Sequence, residues 1–87
     1  MVTILVIHEV DDVERWLAST NREKVFGPLG ITARTFVEQV PTQRVGLFVE
    51  APDLDTFQSA LGSEAAAEAM AADGVRAGGM LVLIESP

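Results

Sequence analysis

The only histidine of the sequence, His8, is the residue best suited to acid–base chemistry. An imidazole titrates near neutral pH without any perturbation, so it can accept or donate a proton under physiological conditions. His8 ends a strand whose alternate residues point to opposite faces, and this alternation directs it towards the face that helices would cover. His8 is therefore a candidate catalytic residue. The alternative is a polar strand end that is hydrogen-bonded to the backbone.

Four further side chains are candidates for contact with a small ligand. Trp16 offers a flat aromatic wall with one N–H donor, and Phe57 and Met70 offer apolar surface that can adapt to a ligand. Asn21, near the end of the same predicted helix as Trp16, adds a polar group. Packing in the core is the alternative explanation for the three apolar residues.

The sequence does not predict a metal site or a cofactor. One histidine and no cysteine leave no thiolate ligands, no disulfides and few nitrogen ligands. Asp11 and Asp12 are explained by capping of the helix that follows them, because carboxylates accept the free N–H groups of a helix start. Ser63 is also interpreted as a helix cap, since no acid–histidine pair accompanies it.

Arg34 and Glu38 form a separate candidate pair on a predicted strand. Their spacing places both side chains on the same face, so they could form an ion pair or bind a carboxylate. An ion pair at the solvent or at the rim of an interface, worth less than about 1 kcal/mol, is the simpler interpretation.

The charge balance argues against nucleic acid as a partner. Six Lys and Arg residues stand against thirteen Asp and Glu residues, a formal net charge of -7 at pH 7, which repels phosphates.

No apolar run approaches the ~20 residues of a membrane span, and the first apolar stretch lacks the basic lead-in of a secretion signal. We therefore expect a cytoplasmic protein that does not contact a membrane.

The positions of the residues named above follow from a simple predicted order of strands and helices. The first strand, Val2 to His8, is apolar on both faces, which is typical of a central strand. The spacing then predicts a helix over 11–25, with Trp16, Leu17 and Thr20 facing the sheet and Arg22 on the opposite side. The remaining predicted elements are a strand over 31–40, a turn over 41–44, a strand over 45–50, a helix over 54–72 that is broken at Gly62 and Ser63, and a last strand over 80–84.

This βαββαβ order predicts an α+β, ferredoxin-like fold. Right-handed crossovers give a four-stranded antiparallel sheet in the spatial order 4-1-3-2 with two helices on one face. At this length, residues 1–87 are expected to form a single domain. Alternation assigns these residues to the helix side: Val2, Ile4, Val6, Val45, Val49, Val82 and Ile84.

The opposite face of the sheet is also apolar and is predicted to meet a second copy of the chain. Two helices cover only one face, so the other must be buried in another way, and an obligate homodimer is the simplest solution. The residues assigned to this face are Leu5, Ile7, Phe36, Phe48, Leu81 and Leu83.

Several segments, together spanning most of the chain, carry a family resemblance. They are Val6 to Trp16 (VIHEVDDVERW), Gly30-Ile31, Arg44 to Leu54, and Asp73-Gly74-Val75. They resemble small proteins of the dimeric α+β barrel superfamily, which includes antibiotic-biosynthesis monooxygenases and aromatic polyketide cyclases. The resemblance implies two sheets packed face to face, with ligands held between each sheet and its helices. Trp16 and Asn21 match the tryptophan and asparagine of quinone-forming monooxygenases in residue type only, and no role is transferred.

Three functions are compatible with these patterns. The first is a homodimer that binds a small apolar or aromatic molecule between sheet and helices. The second is a cofactor-independent monooxygenase or cyclase acting on an aromatic or polyketide-like substrate, with His8 as acid or base and Trp16 as a stacking wall. The third is a structural module that only self-assembles. A cavity under the helices would favour the first two over the third.

Overall fold

The computed structural model describes residues 1–40 and 42–86, with the backbone alone for Ala77. Within these residues the chain is an α+β fold in which one antiparallel sheet carries four strands in the order β2-β3-β1-β4. This is the predicted order 4-1-3-2 read from the other edge, so the predicted topology is confirmed. The strands are β1 (Val2–Val10), β2 (Thr32–Val37), β3 (Arg44–Ala51) and β4 (Val75–Ile84).

The helices of the first predicted stretch are shorter and more numerous than predicted, whereas the second stretch is divided where predicted. Each of the two predicted helical stretches is divided into two helices, and a 3-10 turn follows the first stretch. The elements are α1 (Val13–Ala18), α2 (Asn21–Phe26), the 3-10 turn (Gly27–Leu29), α3 (Leu54–Leu61) and α4 (Glu64–Ala72).

The division between α1 and α2 corrects the predicted single helix over 11–25. Asp12 caps α1 by accepting the backbone N–H of Arg15 at 3.2 Å, as predicted for a helix start here. The chain becomes extended at Ser19, whose Oγ accepts the backbone N–H of Asn21 at 3.1 Å. Short polar side chains of this kind bond to the nearby backbone and compete with helix continuation. The break changes the direction in which the residues of α2 point.

The break between α3 and α4 is the one predicted at Gly62 and Ser63. Ser63 Oγ accepts the N–H of Ala66 at 3.1 Å and donates to the carbonyl of Ala60 at 2.6 Å, so it links the two helices. Asp53 caps the start of α3 in the predicted manner, accepting the N–H of Thr56 at 2.7 Å.

Two strand boundaries differ from the prediction by three residues or more. β2 ends at Val37 rather than at residue 40, because its last partner on β3 is Val45. β4 begins at Val75 rather than at residue 80, because residues before its two glycines pair with the end of β1. Pro41, the first residue of the predicted turn, lies outside the described residues.

The pairing between β1 and β4 is interrupted opposite His8. Ile7 pairs with Leu81 and Glu9 pairs with Arg76, so β4 advances five residues where β1 advances two. The pairing of β1 with β3 continues through this point, with His8 opposite Val45. Such an irregularity bends one strand and changes the surroundings of the residue across from it. His8 therefore lies where the sheet opens on one side.

The face of the sheet under the helices forms the core. Ile4, Val6, Val45 and Val49 are buried there, as their alternation predicted. Val82 and Ile84 pair with Val6 and Ile4 and so share this face, but they remain 40% and 47% exposed. They lie on the predicted face, but the short helices do not cover the β4 edge. The core is completed by Val10, Trp16, Phe26, Ile31, Leu47, Ala51, Phe57 and Ala60.

The opposite face of the sheet, called the outer face below, is apolar and open. Leu5, Phe36, Leu81 and Leu83 are between 43% and 56% exposed, whereas Ile7 and Phe48 are half-buried by their neighbours on the same face. In the register, these residues occupy two adjacent rows across the four strands. A polar row of Thr32, Glu50 and Thr3 borders them on one side.

The helices of the described residues are all short. None of them is both long and apolar enough to cross a membrane.

Candidate functional site

A cavity of about 60 Å³ lies between the helix face of the sheet and the helices. One buried water needs roughly 10–15 Å³ of such space, so the cavity has room for a few waters or for one small organic group. It cannot enclose a polycyclic molecule without expansion. Its polar groups belong to His8, Arg22 and Asp73, and its apolar wall includes Val6, Trp16, Phe57, Leu61, Met70 and Met80.

His8 lies on the helix face of β1, in the wall of the cavity, and is almost fully buried. Its Nδ1 is 3.3 Å from the carbonyl oxygen of Glu9. Because a carbonyl only accepts, this contact favours the neutral tautomer that carries its hydrogen on Nδ1 and leaves Nε2 as an acceptor. The imidazole also meets the Trp16 ring edge to face, with centroids 5.6 Å apart.

The surroundings of His8 favour its neutral form. Burial lowers the pKa of His8 below its ordinary value of 6.5. The hydrogen bond to the Glu9 carbonyl acts in the opposite direction, and the positive charge of Arg22 lowers the pKa further. At neutral pH the ring is therefore uncharged, and an uncharged imidazole with an unprotonated Nε2 can act as a proton acceptor.

Arg22 is a polar group of the cavity, although the predicted single helix directs it away from the sheet. Its guanidinium carbon lies 4.3 Å from the centroid of the Trp16 ring, and its Nη2 donates to the Trp16 carbonyl at 3.0 Å. The break at Ser19 and Thr20 explains the difference, since a continuous helix would point Arg22 away from the sheet. The cluster Ser19-Thr20-Asn21, three residues with poor helix propensity, was the signal in the sequence.

Asp73 is the acidic group of the cavity. It follows α4, is buried, and accepts a hydrogen bond from Asn21 Nδ2 at 3.0 Å through Oδ1. Its negative charge raises the pKa of Arg22, whereas burial, the larger influence, lowers it. Its place in the sequence indicates only the end of a helix, and its bond to a residue 52 positions away has no local signal.

The other sequence-predicted site residues divide between the cavity wall and its support. Trp16, Phe57 and Met70 line the cavity together with His8, and the ring of Phe57 packs 6.4 Å from that of Phe26. Asn21 is not part of the wall. It donates a hydrogen bond to Asp73, which does line the cavity.

Arg34 and Glu38 do not pair with each other. Glu38 lies 3.1 Å from Arg44 in an exposed ion pair, and Arg34 lies over the ring of Phe48 at 4.5 Å on the outer face. The strand ends before Glu38, so the alternation that aligned the two residues does not extend that far. Among the described residues no group of three His, Cys, Asp or Glu side chains is arranged to hold a metal ion.

Comparison with solved structures shows the fold of the chain. A candidate antibiotic biosynthesis monooxygenase from Nitrosomonas europaea aligns with a TM-score of 0.69 and 14% identity, covering 100% of this chain and 98% of that one. Another antibiotic biosynthesis monooxygenase aligns at 0.67 and 10% identity with the same coverage. A candidate member from Caulobacter crescentus aligns at 0.58 and 17% identity, covering 99% and 88%.

Comparisons by sequence give no further assignment. No protein-family model matches the chain, and no curated protein matches it. The resemblance inferred from the sequence is thus confirmed at the level of the fold: the chain has the fold of these antibiotic biosynthesis monooxygenase structures.

Proposed function

We propose that the protein is a homodimer that binds a small, mainly apolar molecule between its sheet and its helices. The observation that carries this proposal is the cavity under the helices, with an apolar wall and three polar groups. Protein interiors are otherwise packed with few voids larger than a water molecule. A hollow with a few polar groups converging on it is the usual form of a small-molecule site. In this proposal the protein acts in the cytoplasm.

The proposed ligand contacts come from both layers of the fold. Trp16, Phe57 and Met70 would supply apolar surface, and the flexible chain of Met70 would adjust to the shape of the ligand. His8 would contact the polar end of the ligand through Nε2. Asn21 would act indirectly, by orienting Asp73.

Filling the cavity tests whether it is the binding site. Ala69 lines the cavity on α4, and Ala69→Leu would place three additional carbon atoms in it. Ala67, two residues earlier on the same helix, is exposed, so Ala67→Leu is a matched control. Ligand-observed NMR with a library of small apolar compounds would identify binders of the unaltered protein. We expect the Ala69 variant to lose them and the Ala67 variant to keep them, with melting temperatures measured for both.

Two results would contradict the proposal. One is a library in which no compound binds the unaltered protein. The other is a folded Ala69→Leu variant that binds the same compounds with unchanged affinity, which would place the binding site elsewhere.

The homodimer is supported by the outer face. Monomeric proteins rarely expose a large continuous apolar surface. Here two rows that are apolar apart from Arg34 at the β2 edge cross the sheet beside a polar border. An apolar centre with a polar rim is typical of a protein interface. The exposed Val82 and Ile84 show that β4 has uncovered apolar residues on both faces, so a partner would have to cover this edge as well.

A cofactor-independent monooxygenase or cyclase activity is a second candidate, and the state of His8 favours it. A buried, neutral imidazole with a free Nε2 can remove a proton from an aromatic or enolic substrate. His8→Gln would abolish turnover of such a substrate while leaving ligand affinity within a fewfold range. A His8→Gln variant with the full rate would exclude this role.

A further inference from the structure

The guanidinium of Arg22 is held in place but incompletely bonded. Nη2 donates to the Trp16 carbonyl and the plane lies over the Trp16 ring, so both contacts fix its position. Nη1 is buried and has no hydrogen-bond partner among the residues the structure describes. Folded proteins rarely leave a buried donor unpaired, and a charged donor is especially unfavourable. The free N–H groups of Nη1 therefore need an acceptor that the chain does not supply.

The charge of Arg22 is only partly balanced within the cavity. Asp73 is the carboxylate that influences it, but Oδ1 of Asp73 is bonded to Asn21. Among the described residues, the ion pairs closer than 4.0 Å involve Arg44 and Arg76 and not Arg22. His8, the third polar group, is neutral. The cavity thus presents two charged groups to whatever occupies it: the guanidinium of Arg22, fixed in direction, and the carboxylate of Asp73, which is already bonded to Asn21 through Oδ1.

We propose that this part of the cavity is an anion subsite, in which Nη1 of Arg22 donates to the carboxylate of a small apolar acid. The inference rests on the proposed function, since it assigns a ligand class to the same cavity. Guanidinium–carboxylate contacts are strong because both partners are charged. The cavity volume suits a carboxylate group with a short body, such as a branched aliphatic or single-ring acid.

Access to Nη1 requires a small rearrangement of the apolar wall. The atom is shielded from solvent, so the ligand must displace side chains next to it. Met70 and Met80 line the same cavity, and their unbranched side chains can change conformation at low cost. The subsite is therefore formed by a fixed polar group and an adaptable apolar surface.

The test compares acids with neutral molecules of the same shape. The probes are isobutyrate against isobutyramide and benzoate against benzamide, with dissociation constants from NMR titrations. We expect each acid to bind at least about tenfold more tightly than its amide, a difference of about 1.4 kcal/mol. Arg22→Gln should remove this preference while the amides still bind. Lys24→Gln, an exposed cation on the same helix, should leave it unchanged.

His8 provides a second measurement that does not depend on the stability of the Arg22 variant. It is the only histidine, so its ring signals can be followed without overlap. The charge of Arg22 lowers the pKa of His8, and a bound carboxylate would offset that charge. We expect saturation with the acid, and not with the amide, to raise the pKa of His8.

The outcomes separate this inference from the proposed function. Equal affinity for acid and amide in the unaltered protein, with no change at His8, would overturn the anion subsite and indicate that water satisfies Nη1, while binding in the cavity would stand. Failure of both probes and of the compound library to bind would overturn both.

Discussion

The outer face of the sheet predicts that Leu81→Lys weakens self-association. Complete burial of a leucine is worth about 1.5–3 kcal/mol, and Leu81 is 56% exposed, so roughly half of this remains for a partner. In a two-fold dimer each substitution is present twice, which gives a loss of about 2–3 kcal/mol per dimer. At 1.4 kcal/mol per tenfold, the dissociation constant should rise roughly 30- to 150-fold, and the lysine charge should add to this.

Sedimentation velocity over a range of protein concentrations would measure the change. Leu17→Lys is the matched control, because Leu17 is 44% exposed but lies on α1, on the helix side of the protein. We expect this control to associate like the unaltered chain. The reasoning would be refuted if the unaltered chain were monomeric at all concentrations, or if both lysine variants weakened association equally.

Three further predictions concern stability. Burial holds the pKa of His8 below 6.5, so under mildly acidic conditions the unfolded chain binds a proton that the folded chain does not. The free energy of unfolding should therefore decrease as pH falls from about 6.5 towards the lower pKa of the folded state. Urea unfolding at pH 7.5 and 5.5 should show a smaller decrease for His8→Gln than for the unaltered chain. Gly74 has a φ of 70°, so Gly74→Ala should cost about 1–2 kcal/mol in the same assay, whereas Gly78→Ala, whose added carbon has open space, should be close to neutral. Ser63→Ala should lower the unfolding free energy by about 1 kcal/mol through loss of its cap, and an equal loss for Ser59→Ala in the exposed middle of α3 would contradict this explanation.

Local patterns in the sequence were sufficient for the topology. The first strand is apolar on both faces, and β1 does lie between β3 and β4. Alternation also placed His8 correctly on the helix face, because the side-chain direction along a strand follows from the backbone alone. The caps at Asp12, Asp53 and Ser63 were also predictable from local sequence, since each capping hydrogen bond joins residues only three positions apart.

The parts of the site that depend on distant contacts were not predictable from one sequence. Val82 and Ile84 lie on the predicted face but are not covered, since coverage depends on where the helices end. Arg22 faces the cavity because the helix breaks before it, and only the choice of polar residues at the break signalled this. The bond between Asn21 and Asp73 joins residues that are far apart in sequence, and neither residue type specifies the other.

The interruption of the pairing between β1 and β4 opposite His8 means that the pairing does not fix the length of the β4 segment between Arg76 and Leu81. Between Arg76 and Leu81 the residues of β4 exceed what β1 requires, while the pairings on either side remain in register. Val75, which precedes Arg76, and Met80, the last residue of this segment, both line the cavity. Insertions or deletions here would alter the space beside His8 without shifting a single strand. Evolution could thus reshape the cavity by changing the length of this segment, and the same position is where a protein engineer could enlarge the cavity without rebuilding the fold.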